Sequence, residues 1–167
     1  KKLTEFSVKQ FILREFAKHD LETDSDQPIV AFDVNTSIIH YFPKKKCKKI
    51  KSGLILIDIW AKSRQGCFAD ITWLCFIGKK IPKNIQNNFA ILINSRDKAI
   101  SFIKKSLKKK KLPSANQVDF QVRNYFKQHK KAKFFLHSTG HSIDSENCHG
   151  VHFNISPKST ALIQKNI

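Results

Sequence analysis

The sequence predicts an α+β fold, a mainly antiparallel sheet backed by helices, and three observations carry that expectation. Two strand-forming runs, Leu54-Ile55-Leu56-Ile57-Asp58-Ile59-Trp60 and Cys67-Phe68-Ala69-Asp70-Ile71-Thr72-Trp73-Leu74-Cys75-Phe76, flank a short polar segment and read as a β-hairpin. Residues 3–18, 84–110 and 116–129 instead repeat their apolar side chains at helical spacing. At 167 residues the chain is long enough for one domain with a real core. Residues 1–167 are accordingly read as a single, partial domain.

The elements follow in order. Residues 3–18 place Phe6, Val8, Phe11, Ile12, Phe16 and Ala17 mostly on one helical face, with Thr4 as a start cap. Residues 20–28 are acidic and polar and predict a loop. Residues 29–34 predict a short strand, Asn35-Thr36-Ser37 a turn, and His40-Tyr41-Phe42-Pro43 a loop. The hairpin comes next, with its turn in residues 61–66. Helices over 84–110 and 116–129 are separated by Pro113-Ser114, and Phe134-Phe135-Leu136 predicts a short strand. From Ser138 onward, His, Ser, Asn and Gly dominate, which suits a site loop better than a core.

Lys plus Arg total 31 against 13 acids, a net charge of +18. That balance raises nucleic acid or an anionic membrane as partners. Only Arg14, Arg64, Arg96 and Arg123 are arginines, whereas base reading and bidentate phosphate contacts favour Arg. The lysines fall in short solvated runs, so a basic surface is expected and nucleic acid is not the expected partner. No run of eighteen apolar residues exists, so no membrane span is expected. Lys1-Lys2-Leu3-Thr4-Glu5-Phe6 lacks the apolar run of a signal peptide. The absence of Met predicts an internal piece of a longer chain. Cys47, Cys67, Cys75 and Cys148 form no C-x-x-C pair, which points to neither a zinc ribbon nor a redox motif, and to a reducing, cytoplasmic setting.

Asp58 and Asp70 each interrupt an apolar strand. A hairpin symmetric about residue 64 would set them directly opposite, on one face, with Cβ atoms about 4.5–5.5 Å apart. Two carboxylates that close repel each other. A shared proton, a bridging Arg or a divalent cation would each relieve the repulsion. Thr72 would share the face as a supporting hydroxyl. Alternatively one Asp turns to solvent and pairs with a lysine. His137, His141, His149 and His152 crowd one glycine-containing stretch, and imidazole suits zinc, cobalt, manganese or iron. His40 stands alone in its loop.

Taken together, these pieces resemble the Xaa-Pro aminopeptidase, prolidase and methionine aminopeptidase family, the creatinase-like or "pita-bread" metallopeptidases. The resemblance rests on Leu3-Thr4-Glu5-Phe6-Ser7-Val8-Lys9-Gln10-Phe11-Ile12, on Pro28-Ile29-Val30-Ala31 with His40-Tyr41-Phe42-Pro43, on Leu56-Ile57-Asp58-Ile59-Trp60-Ala61-Lys62 with Ala69-Asp70-Ile71-Thr72-Trp73, and on His137-Ser138-Thr139-Gly140-His141-Ser142-Ile143. It implies a curved sheet backed by helices. It also implies two divalent ions, Mn or Co first and Zn or Fe behind them, held by Asp58, Asp70 and His141. His40 and His149 would be the catalytic, substrate-side histidines, with His152 as the fallback for His149. The reaction implied is hydrolysis of an N-terminal or dipeptide amide, often next to proline, by a hydroxide bridging two metals.

The family completes its site with two glutamates, yet no Asp or Glu follows Glu146. The fold is therefore expected to be truncated on its C-terminal side, either because the rest lies on a further segment or because the copy has decayed, and this piece is expected to be inactive alone. Ser138 stands where the family usually has Arg, and Asp144 where it has Gly. The expected function is a metal-dependent aminopeptidase or dipeptidase of Xaa-Pro type, acting on a peptide or dipeptide, with a homodimer as a further candidate partner. The rival is a non-catalytic relative that binds nucleic acid or protein through its lysine surface.

Overall fold

The computed structural model describes residues 3–24, 28–47, 49–150 and 153–164. Its secondary structure runs α1 (Glu5–Lys18), β1 (Leu21–Glu22), β2 (Ile29–Phe32), a 3-10 turn (Asp33–Ser37), β3 (Gly53–Ser63), β4 (Ala69–Ile77), α2 (Lys83–Lys108), α3 (Ala115–Gln128), a 3-10 turn (Ala132–Phe134), β5 (Gly140–His141) and β6 (Asn154–Ile155). Two compact units result, one of residues 1–81 with 143–148, the other of residues 82–142 with 149–167.

The first unit is an antiparallel sheet centred on β3. β1, β2 and β4 each pair antiparallel with β3. α1 opens as expected, with the Thr4 hydroxyl accepting from the Ser7 N–H at 3.1 Å and Ser7 Oγ accepting from the Thr4 N–H at 2.8 Å. Its inward face differs from the apolar stripe expected. Phe11 is exposed, while Glu5 and Lys9 are buried. Glu5 has donors that make burial tolerable: Phe32 N–H at 2.6 Å, Asn35 Nδ2 at 2.9 Å and the Tyr41 hydroxyl at 2.9 Å. One core gathers Ile29, Ala31, Trp60, Phe68 and Cys148, joined by Tyr41, Leu56 and Ile143.

The second unit is built on the α2–α3 pair. Ala99, Val118, Val122 and Phe126 form its core. Asp119, fully buried, accepts from Arg123 Nε at 2.7 Å and from Thr139 Oγ1 at 2.8 Å. Arg123 in turn donates to the carbonyls of Phe135 and His137 at 3.2 and 2.7 Å. This clasp holds the segment leading into β5 against α3.

Three local expectations are corrected. Residues 21–22 form a short strand where a loop was expected, because Leu21 and Glu22 pair with Ser63 and Lys62 at the far end of β3. Residues 134–136 are no strand. The Phe134 and Phe135 N–H groups donate to the Lys131 and Ala132 carbonyls in a 3-10 turn, and the Phe135 carbonyl accepts from Arg123, so neither residue joins a sheet. The hairpin turn also falls later than expected, with consequences for the site.

Candidate metal centre

β3 and β4 pair with Asp58 opposite Thr72 and Trp60 opposite Asp70. The two aspartates therefore share a face, as alternation along a strand requires, but they are diagonal neighbours and not directly opposed. The shift arises in the turn. The Gly66 N–H bonds the Ser63 carbonyl at 3.0 Å, closing a β-turn. Cys67 and Phe68 then intervene before β4. Phe68 enters the core, and its N–H bonds the Asp144 carbonyl at 3.0 Å and not β3. Diagonal neighbours sit about 7–8 Å apart, against about 5 Å for opposed ones, so the repulsion argued from direct opposition is relaxed.

Each carboxylate has a distinct environment. Thr72 Oγ1 donates to Asp58 Oδ1 at 2.6 Å. Asp70 takes a hydrogen bond from Cys148, a fully buried thiol. Burial first, then the negative charge of Asp70, pushes that thiol well above its ordinary range, so it remains a protonated donor. Asp24 accepts from Trp60 Nε1 at 2.6 Å and adds a third acid to this part of the sheet. Sequence reading missed Asp24 and Cys148. Asp24 lay in a segment expected to be plain loop, and nothing in the local pattern marked Cys148 as buried.

Residues 143–148 reach the sheet through two bonds. Phe68 takes the Asp144 carbonyl, and Lys62 Nζ donates to the Ser145 carbonyl at 2.6 Å. Asp144 closes its own turn, with Oδ1 accepting from the Glu146 and Asn147 N–H groups at 2.8 and 2.7 Å. That role accounts for an acid at this position.

His40 is exposed and lies at φ +56° in the loop before Tyr41. In the second unit the rings of His141 and His149 lie 4.9 Å apart, tilted by 41°. His141 Nδ1 is 3.0 Å from the Ser142 carbonyl. Gly150, at φ +58°, brings its backbone so close to Ser142 that a Cβ there would collide with it. His137 is exposed, with Nδ1 2.7 Å from the Ser138 carbonyl. His152 lies outside the described residues.

Among the described residues, no three His, Cys, Asp or Glu side chains converge closely enough to hold an ion. Asp58 and Asp70 supply two carboxylates on one face of the sheet, and the described residues complete no ion site. No described helix is long and apolar enough to cross a membrane.

An antiparallel sheet with helices, arranged this way, is the α+β fold of the pita-bread hydrolases. The chain superposes on an X-Pro aminopeptidase from Thermotoga maritima with a TM-score of 0.80 at 21% identity, covering 97% of this chain and 43% of that one. A dipeptidase from Pyrococcus horikoshii gives a TM-score of 0.83 at 20% identity over 98% of this chain and 42% of that one. A Mycoplasma genitalium protein named "Putative Xaa-Pro aminopeptidase" is 28% identical over 144 residues, which is 85% of this chain and 38% of that protein. Residues 1–166 match the profile of metallopeptidase family M24, and the chain belongs to that family. It spans about two fifths of the length of these relatives.

Proposed function

We propose that this chain supplies the first metal ligands and the substrate-side histidines of a metal-dependent aminopeptidase or dipeptidase of Xaa-Pro type. The observation that carries the reading is the placement of Asp58 and Asp70 on one face of the hairpin, in a chain of this family. Asp58 and Asp70 would be metal ligands and His141 a further one, with His40 and His149 meeting the substrate. Mn or Co would be the first choice of ion. Divalent ions there would polarise the scissile carbonyl and lower the pKa of a bound water. The chain's own residues orient the ligands. The Thr72 hydroxyl holds one oxygen of Asp58, and the Cys148 thiol holds Asp70.

Three such ligands are few for two cations, so tight binding calls for carboxylates beyond these. Co(II) titration followed by absorption tests the reading. Uptake of Co(II) that is lost in Asp58→Asn and Asp70→Asn supports it. Uptake unchanged in both variants overturns it.

A further inference from the structure

The first unit holds a second feature that the peptidase reading does not use. A cavity of about 730 Å³ opens between the start of α1, the end of β2 and the lysine-rich stretches 44–47 and 49–51. Lys44, Lys46, Lys49 and Lys51 line it, and all four are exposed. Its apolar wall comes from Phe32, Val34, Tyr41 and Phe42. We propose that this cavity binds a nucleoside phosphate, with the phosphates among the four ammonium groups and the base against Phe42.

Several features support a built site over a scatter of surface lysines. The rim is tied to α1 through backbone: Thr4 and Lys49 form a β-bridge, and the Ile50 N–H bonds the Leu3 carbonyl at 2.9 Å. Glu5 faces the cavity, but its charge is spread over three donors, from Phe32, Asn35 and Tyr41. Of the acids lining it, Asp33 alone is solvent-exposed, against four lysines. The lining therefore attracts anions. It would repel the cationic amino terminus of a peptide, which separates it from the substrate of the proposed peptidase. Phe42 is 46% exposed, a partly open ring against which a base could stack, with Lys9 Nζ over the ring at 5.4 Å from its centroid. Phosphate affinity from lysines and stacking from a ring are together what a nucleotide needs.

The test is a fluorescence titration with N-methylanthraniloyl-ADP, with inorganic pyrophosphate as competitor and a fluorescein-labelled oligouridylate as a second probe. The proposal expects saturable binding that weakens as salt rises from about 0.05 to 0.2 M. Lys46→Glu with Lys49→Glu should weaken the nucleotide by about tenfold or more. Lys44→Gln with Lys51→Gln, a milder change, should weaken it in the same direction. Phe42→Ala should weaken the nucleotide several-fold and leave pyrophosphate competition unchanged. Lys108→Glu with Lys109→Glu, at the far end of α2, should change neither. A single-stranded ligand is indicated if the oligomer binds more tightly than the nucleotide and loses affinity in the same rim variants. The idea is overturned if the nucleotide does not bind, if the α2 pair weakens it as much as the rim pair, or if Phe42→Ala has no effect.

Discussion

Asp58 and Asp70 carry the same chemistry in different settings, and each setting yields a prediction. The Thr72 hydroxyl restricts Asp58 to one orientation. Removing such a supporting hydrogen bond weakens a metal by about 10–100-fold. Thr72→Val is expected to lower Co(II) affinity within that range while leaving the unfolding transition nearly unchanged, since Thr72 is exposed. Asp119 is the contrasting case, a buried acid with an arginine and a threonine as donors. Asp119→Ala should cost about 2–3 kcal/mol in a urea titration, because Arg123 loses its charged partner while remaining only partly solvated. Tyr41 supplies the pH dependence. Burial, then its bond to Glu5, pushes its phenol from 10.0 up to about 12. An acid group raised in this way stabilises the fold fully below pH 10.0 and loses that contribution as pH climbs through about 12. The urea midpoint should fall across that window, and Tyr41→Phe, which cannot ionise, should show a shallower fall.

Helices and strands were legible in the sequence to the extent that local spacing governs them. The helix starts at Thr4 and Ser114 both carry capping boxes. Thr4→Ala should cost about 1 kcal/mol, read as a lowered melting midpoint. Which face of α1 turns inward was not legible. Glu5 is buried because donors from Phe32, Asn35 and Tyr41 wait for it, and those residues lie far along the chain. The hairpin shows the same division. Phe68 anchors its turn in the core, so Phe68→Ala should destabilise the first unit by about 3–5 kcal/mol. Gly150 matters to the second unit. Its left-handed backbone and lack of a Cβ let residues 149–150 approach Ser142. Gly150→Ala should disturb the His141–His149 ring contact, seen as shifted histidine proton resonances, whereas His137 signals should stay in place.

Over the whole molecule, the charge of +18 sets a condition on stability. Like charges repel, and salt shortens the reach of that repulsion from about 10 Å at 0.1 M to about 3 Å at 1 M. Added sodium chloride should therefore raise the urea midpoint, and a midpoint that falls with salt would contradict this account. The three helices, the central hairpin, the shared face of Asp58 and Asp70, and the family all came from the chain's own spelling. Side chains along a strand alternate, and the expected and observed registers differ by two residues, so Asp58 and Asp70 stay on the same side in both. Register was another matter. It depends on Phe68 entering the core and on its N–H finding the carbonyl of Asp144, a partner distant in sequence. The same holds for the thiol of Cys148 beside Asp70 and for the donors around Glu5. Such pairings form when distant segments meet in the folded core, and no spacing within one segment encodes them.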